Sequence, residues 1–193
     1  MRLFGITGGI GSGKSTIAAG LRAEGFAVYD TDSEAQRIMR DNPCVRSQIE
    51  LLFGSDIYEG DILNRTEVAK QVFADPALLR RLNSIVHPAV RFDLEEWAKR
   101  QTDICFAESA ILFESGINEI CEAVVFITAP EALRIERTMK RDNATQEQVL
   151  LRIHNQMADE ERESMSDLVV CNDGTTDIAT LCHSIISFCR SRQ

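Results

Sequence analysis

Lys14 and Ser15 close the run Gly8-Gly9-Ile10-Gly11-Ser12-Gly13, giving the order glycine, four residues, Gly-Lys-Ser that marks a phosphate-binding loop. Each residue type answers a need of phosphate chemistry. Four glycines among six residues permit backbone conformations closed to a side chain, so successive N–H groups can turn inward around an anion. Lys14 adds a point charge, and the Ser15 hydroxyl is a ligand suited to the Mg²⁺ that accompanies nucleotide phosphates. Gly11, Ser12, Gly13, Lys14, Ser15 and Thr16 are therefore expected to hold the β- and γ-phosphates of ATP.

Moving a phosphoryl group also needs a proton acceptor, a metal ligand and cations for the transition state. Asp30-Thr31-Asp32 follows the apolar run Phe26-Ala27-Val28-Tyr29, and a carboxylate there can accept the proton of an attacking hydroxyl. Asp32 or Ser33 can equally cap the helical stretch from Glu34 to Arg40, and the two roles are compatible. Glu108 directly follows the apolar run Asp103-Ile104-Cys105-Phe106-Ala107, the position from which phosphate-loop proteins hold Mg²⁺, although strands often end in a carboxylate without one. Arg134, Arg137 and Arg141 recur at spacings of three and four and share one helical face. With Arg152 they suit a lid closing over phosphates. Arg141 is expected to work there, against the plainer reading of solvated charges. His87-Pro88 reads as a helix start with the histidine at its cap, either structural or reaching to a ligand.

These groups need elements to position them. Arg2–Thr7 reads as a strand before the loop, a helix opens at Ser15 and runs to about Glu24, and Gly25 ends it before a strand at Phe26–Tyr29. Between Asn42 and Gln101 no strand is expected. Helical periodicity covers Val45–Phe53, Gly54–Gly60 reads as a loop, and helices are expected at Arg65–Phe73, Pro76–Val86 and Pro88–Arg100. This inserted helical lobe carries Arg65, Lys70, Arg80, Arg81, Asn83, His87 and Arg91, which suit an anionic acceptor and are equally ordinary on a solvated face. Further strands are expected at Asp103–Ala107, Ala123–Thr128 and Leu168–Cys171, and helices from Glu131, after Thr145 and over Ile178–Arg190. Asn172-Asp173-Gly174 reads as a turn at the edge of the sheet where ligands bind, the local reason to expect contact with a base. Strands alternating with helices indicate an α/β class.

Composition bounds the rest. A chain of 193 residues, 44% hydrophobic and 26% charged, can bury one core with an inserted subdomain. A net charge of −9 argues against a general role on nucleic acid or anionic membranes, so an anionic substrate must be drawn by local clusters of Lys and Arg. The first apolar run is only Leu3 to Ile6, so neither a secretory nor a membrane-spanning segment is expected. The six cysteines show no C-x-x-C pair, and Cys105, Cys171, Cys182 and Cys189 read as small core residues; reduced thiols of a cytoplasmic protein are expected. No Asn-Lys-x-Asp base-reading motif is present, which counts against a GTPase-like switch.

Taken together, Thr7 to Ser15, Asp30-Thr31-Asp32, Leu82-Asn83-Ser84-Ile85-Val86-His87-Pro88, Leu112-Phe113-Glu114, Arg137 to Arg141, Arg152-Ile153 with Gln156, and Asn172-Asp173-Gly174 make the chain resemble the dephospho-coenzyme A kinase family over essentially its whole length. The resemblance implies a phosphate-loop kinase fold: a five-stranded parallel sheet flanked by helices (core 1–32, 102–130 and 165–193), a helical acceptor subdomain (about 33–101) and a lid (about 131–164). It implies transfer of the ATP γ-phosphate to the ribose 3′-hydroxyl of dephospho-coenzyme A, with Mg²⁺ on Ser15 and Glu108. It also implies Asp32 as base and Arg141 as a contact to the nucleotide phosphates; Lys14 is expected with Arg141 on the transferring group, and His87 and Arg91 with Asp32 toward the acceptor. Asn172 and Gly174 are implied in the adenine loop. A monomer is favoured. The alternative is a phosphate-loop kinase for a nucleoside or other small alcohol. One departure is visible: where the family pattern has Pro-Leu-Leu-Phe-Glu, this chain has Ala110-Ile111-Leu112-Phe113-Glu114.

Overall fold

Arg2–Thr7 is buried along five of its six residues, as the central strand of a sheet covered on both faces must be. The computed structural model describes residues 2–192. In chain order its elements are β1 (Arg2–Thr7), α1 (Lys14–Ala23), β2 (Ala27–Asp30), α2 (Thr31–Asp41), α3 (Pro43–Phe53), the short strands β3 (Tyr58–Glu59) and β4 (Ile62–Leu63), α4 (Arg65–Ala74), α5 (Pro76–Lys99), β5 (Ile104–Glu108), β6 (Ala123–Thr128), α6 (Glu131–Asp142), α7 (Gln146–His154), α8 (Asp159–Ser164), β7 (Leu168–Cys171) and α9 (Ile178–Ser191). They form two compact units, one of the chain up to Tyr29 and from Ala98 onward, the other of Asp30–Trp97.

The first unit holds a five-stranded parallel sheet in the order β2-β5-β1-β6-β7, flanked by helices. Phe4, Ile6, Phe106, Val125 and Ile127 of the strands share one core with Ile17 and Leu21 of α1 and Ile185 of α9. Gly20 lets α1 and α9 approach: a Cβ there would stand 2.6 Å from Cys182 Sγ. The register sets the site, because Ile6 of β1 lies opposite Glu108 of β5. The loop that begins at Gly8 and the Glu108 carboxylate therefore leave the sheet at the same edge, where open α/β sheets bind ligands. Burial pushes the Cys105 thiol up to about 11 and those of Cys121 and Cys189 up to about 12, and all six cysteines are free. Cys171, expected in the core, is exposed, because β7 is the outer strand and Val170 is its buried residue. Among the described residues no helix is long and apolar enough to cross a membrane.

Two features of the second unit differ from the sequence-based expectation. Gly54–Gly60 is no simple loop: β3 and β4 pair antiparallel around Gly60, at φ +60°, and Asp61. Gly-Asp between two short runs is a hairpin signal. Arg46 of α3 braces the turn, donating to the Gly60 carbonyl at 2.6 Å and Asp61 at 2.9 Å with its guanidinium over the Tyr58 ring. Second, Pro76–Val86 and Pro88–Arg100 are one helix. Pro88 lies inside α5, so His87 is mid-helix and caps nothing. A proline there costs about 3 kcal/mol. Val86, Val90 and Leu94, each four residues from the last, bury one apolar stripe that spans Pro88. At about 1.5–3 kcal/mol for each fully buried side chain, that stripe outweighs the proline.

Candidate functional site

The phosphate loop takes its shape from residues outside it. Gly11 and Gly13 have φ of +77° and +92°, the left-handed region that favours glycine. Space demands glycine as well. A Cβ on Gly11 would meet the Arg134 carbonyl and Thr138 Oγ1, one on Gly13 would meet Asn172 Nδ2, and one on Gly9 would meet the Arg134 guanidinium. Ser12 is fully buried and its N–H closes a turn onto the Gly9 carbonyl at 3.2 Å, so it holds the loop's form. Thr16 and Ile17 donate to the Gly13 carbonyl at 3.1 Å and begin α1, whose N-terminal end faces the loop's interior.

At the open edge the Ser15 hydroxyl lies 3.2 Å from Glu108 Oε1. Lys14 Nζ donates to the Gly9 carbonyl at 3.4 Å, which keeps its charge over the loop. A hydroxyl and a carboxylate meeting beside a phosphate loop fit Mg²⁺, which takes hard oxygen ligands and keeps several waters and phosphate oxygens of its own. Among the described residues no group of three or more His, Cys, Asp or Glu side chains gathers to hold a metal unaided.

The three arginines of α6, expected on one face, have three different environments. Arg134 is 3% exposed, with Nε donating to the Ile10 carbonyl at 2.9 Å and Nη1 paired with Asp159. Arg137 Nη1 donates to the Asn172 carbonyl at 2.9 Å. Arg141 lies mostly in solvent, its fork on Asp142 at 2.7 and 3.0 Å, and Arg152 of α7 takes the same carboxylate at 2.7 Å. The hydrogen bond from Arg141 holds the Asp142 carboxyl below its usual range, and the same bond raises the Arg141 guanidinium. Thr145 caps α7 in a capping box with Gln148.

Asn172, expected beside the base, is buried, and its Nδ2 donates to the Ser12 carbonyl at 2.9 Å. Its side chain therefore fixes the loop. Asn172 and Gly174, with Gly13, Thr16, Arg137 and Ile178, line a cleft of about 470 Å³ next to the loop.

In the second unit the Asp30 side chain, not Asp32 or Ser33, caps α2. Its Oδ1 accepts from the N–H groups of Asp32 and Ser33 at 3.0 and 3.2 Å, and its Oδ2 from the Ser33 hydroxyl at 2.8 Å. Asp32 stands exposed in the first turn. His87 and Arg91 are half-buried one turn apart on α5, and Arg91 Nε lies 3.4 Å from Glu95. Arg37 ties α2 to α5 through Asp93 at 2.7 Å. Sequence reasoning missed the inward roles of Arg134 and Asn172. The signal available was the glycine at 9, 11 and 13, each leaving space that another side chain or backbone fills.

The model of the family described as dephospho-CoA kinase matches residues 2–177. The chain is 43% identical over 157 residues to the dephospho-CoA kinase of Porphyromonas gingivalis, covering 81% of this chain and 78% of that one. It is 38% identical over 187 residues to the dephospho-CoA kinase of Bacteroides fragilis, covering 96% and 91%. A crystal structure from Thermus thermophilus superposes with a TM-score of 0.84 at 33% identity, covering 100% of this chain and 98% of that one.

Proposed function

Because the chain belongs to the dephospho-CoA kinase family, we propose that its own residues move the γ-phosphoryl group of ATP to the ribose 3′-hydroxyl of dephospho-coenzyme A, the last step of coenzyme A synthesis, as follows. The observation that carries this reading is the extent of the family match, which runs from the phosphate loop through the whole of Asp30–Trp97, where an acceptor would be chosen.

Backbone N–H groups of the loop and the Lys14 ammonium take the β- and γ-phosphates, while the cleft beside Gly174 and Arg137 takes the adenosine end. Ser15 and Glu108 hold Mg²⁺, directly or through water. When bound, the ion would draw negative charge off the phosphates. Asp32 accepts the proton of the acceptor hydroxyl. Both oxygens of Asp30 are engaged in capping α2, which supports Asp32 as the base. The 3′-oxygen bonds to the γ-phosphorus as the bond to the bridging oxygen breaks, and ADP carries that oxygen away. Residues 131–164 act as a lid that brings Arg141 from its exposed position on Asp142 to the transferring group and excludes water. His87 and Arg91, one turn apart on α5, bind the acceptor. Six free thiols, four of them wholly or largely buried, are in keeping with a reducing cytoplasm.

A coupled ADP-release assay with dephospho-coenzyme A, adenosine and shikimate as acceptors tests the reading. The expected result is turnover on dephospho-coenzyme A alone; turnover on either of the others without it overturns the acceptor while leaving a kinase.

A further inference from the structure

Ile10, in the middle of the phosphate loop, is gripped at both polar atoms of its backbone from outside the loop. Its N–H donates to Gln156 Oε1 at 2.9 Å, and its carbonyl accepts from Arg134 Nε at 2.9 Å. Gln156 follows the end of α7 and Arg134 lies in the first turn of α6. The two grips therefore come from either side of the segment that carries Arg141 and Arg152.

The grip is anchored below. Arg134 Nη1 pairs with one oxygen of Asp159, whose other oxygen accepts from Arg162 Nη1 at 3.1 Å. Arg162 is fully buried and its Nη2 lies 3.8 Å from Glu114 Oε1, on the turn after β5. Two buried arginines and two partly exposed carboxylates thus join the start of α6, the start of α8 and the turn that follows Glu108. Gly9 completes the fit, since the space a Cβ would need holds the Arg134 guanidinium.

We propose that Arg134 and Gln156 are positioning residues, a two-point clamp on the peptide units either side of the Ile10 Cα, through which residues 131–164 set the phosphate affinity of the loop. The clamp rests on the reading of Gly8–Ser15 as the nucleotide-phosphate site and of 131–164 as the lid. Turning the Ile10 carbonyl toward Arg134 fixes the peptide plane and with it the direction of the N–H groups that follow. Movement of α6 or of the segment after α7 then transmits to the loop without either residue touching the nucleotide.

ADP titration by calorimetry, with thermal melting in parallel, tests this without any acceptor, so failure of the dephospho-coenzyme A assignment leaves the clamp separately testable. Arg134→Met removes a charged donor and is expected to weaken ADP by about tenfold. Gln156→Leu, which keeps both arginines, is expected to weaken it by about threefold. The double variant is expected to lose less than the product of the two, because both act on the backbone of one residue. Asp159→Asn keeps the Nε donor, so it should lower the melting temperature while weakening ADP less than Arg134→Met does. A Gln156→Leu variant that binds ADP as the wild type does overturns the clamp, and it decides the matter if Arg134→Met does not fold. Equal loss of affinity in Asp159→Asn and Arg134→Met also overturns it, since Arg134 would then act only as a member of the ion group.

Discussion

At the start of α6 Arg134 is buried, donating to the Ile10 carbonyl; two turns later Arg141 lies largely in solvent with its fork on Asp142. Their spacing places them on one face of one helix, yet their surroundings are opposite. A guanidinium packed against Gly9 cannot leave without exposing a charge hole and an unpaired carbonyl, so it can only hold. One that rests on an exposed carboxylate gives up little when it moves, so it can act. The same division runs through the whole site. Thr138 and Asn172 are buried with their side chains bonded to backbone, whereas Ser15 stands exposed.

The largest expected effect tests the acting group at the start of α2. Asp32→Asn should leave α2 capped, because the cap is Asp30, and should lower turnover by roughly 10²–10⁴-fold with little change in ATP affinity. Single-turnover rates beside those of Asp30→Asn check this. Asp30→Asn should change rate and stability little, since Asn caps a helix about as well as Asp. A collapsed rate for Asp30→Asn with a normal one for Asp32→Asn would reverse the two assignments. Next, Lys14→Ala is expected to lower kcat/KM for ATP by roughly 10²–10³-fold, measured by initial rates, because its charge attends bound phosphates and transition state alike. Full activity would remove the loop from the mechanism.

The contrast along α6 can be broken directly. Arg141→Lys should lower kcat about tenfold with KM for ATP little changed, because an ammonium cannot reproduce the fork of a group that acts on the transition state. Arg134→Lys should do the reverse, raising KM for ATP more than it lowers kcat and lowering the melting temperature, because it loosens the loop itself. Equal changes in both parameters at both positions would mean that burial does not sort holding from acting here.

Much of this was legible before the structure. β1, the phosphate loop and α1 carry local signals that agree with one another, so strand, glycine run and helix fell where Arg2–Ala23 places them. The helical unit was harder. Pro88 reads as a helix start because a proline's local effect is visible in sequence, whereas the stripe Val86, Val90 and Leu94 that carries α5 through it depends on tertiary packing. Two-residue strands such as Tyr58–Glu59 are too short for periodicity to reveal. At the site, spacing showed that Arg134 and Arg141 share a face, but not that one end of the face is buried. Asn172 reads as a turn residue because its bond to Ser12 spans 160 positions of sequence.

The smallest expected effect concerns Asp142, the carboxylate on which Arg141 and Arg152 both rest. Its carboxyl is held below the usual range chiefly by the Arg141 hydrogen bond, opposed next by burial, with further lowering from the Arg141 charge and from Arg152. A lowered pKa in the folded state stabilises above the unfolded value of about 3.9 and ceases to do so as the pH falls through the folded one. Between pH 5 and 8 the pair is therefore fully ionised, and neither the resting place of Arg141 nor the stability it lends should vary. Asp142→Asn should change the melting temperature by about 2 °C or less, as expected for exposed ion pairs, and by the same amount throughout that range. The difference should disappear only in stronger acid, where the wild-type carboxyl is protonated too. Turnover should stay within about threefold of wild type if Arg141 leaves Asp142 in order to act, as proposed. Melting curves and initial rates taken across pH 5–8 check both statements. A larger loss of activity would show that Asp142 fixes the tip of α6 as firmly as Ile10 and Asp159 fix its base, and the contrast between the two ends would fall.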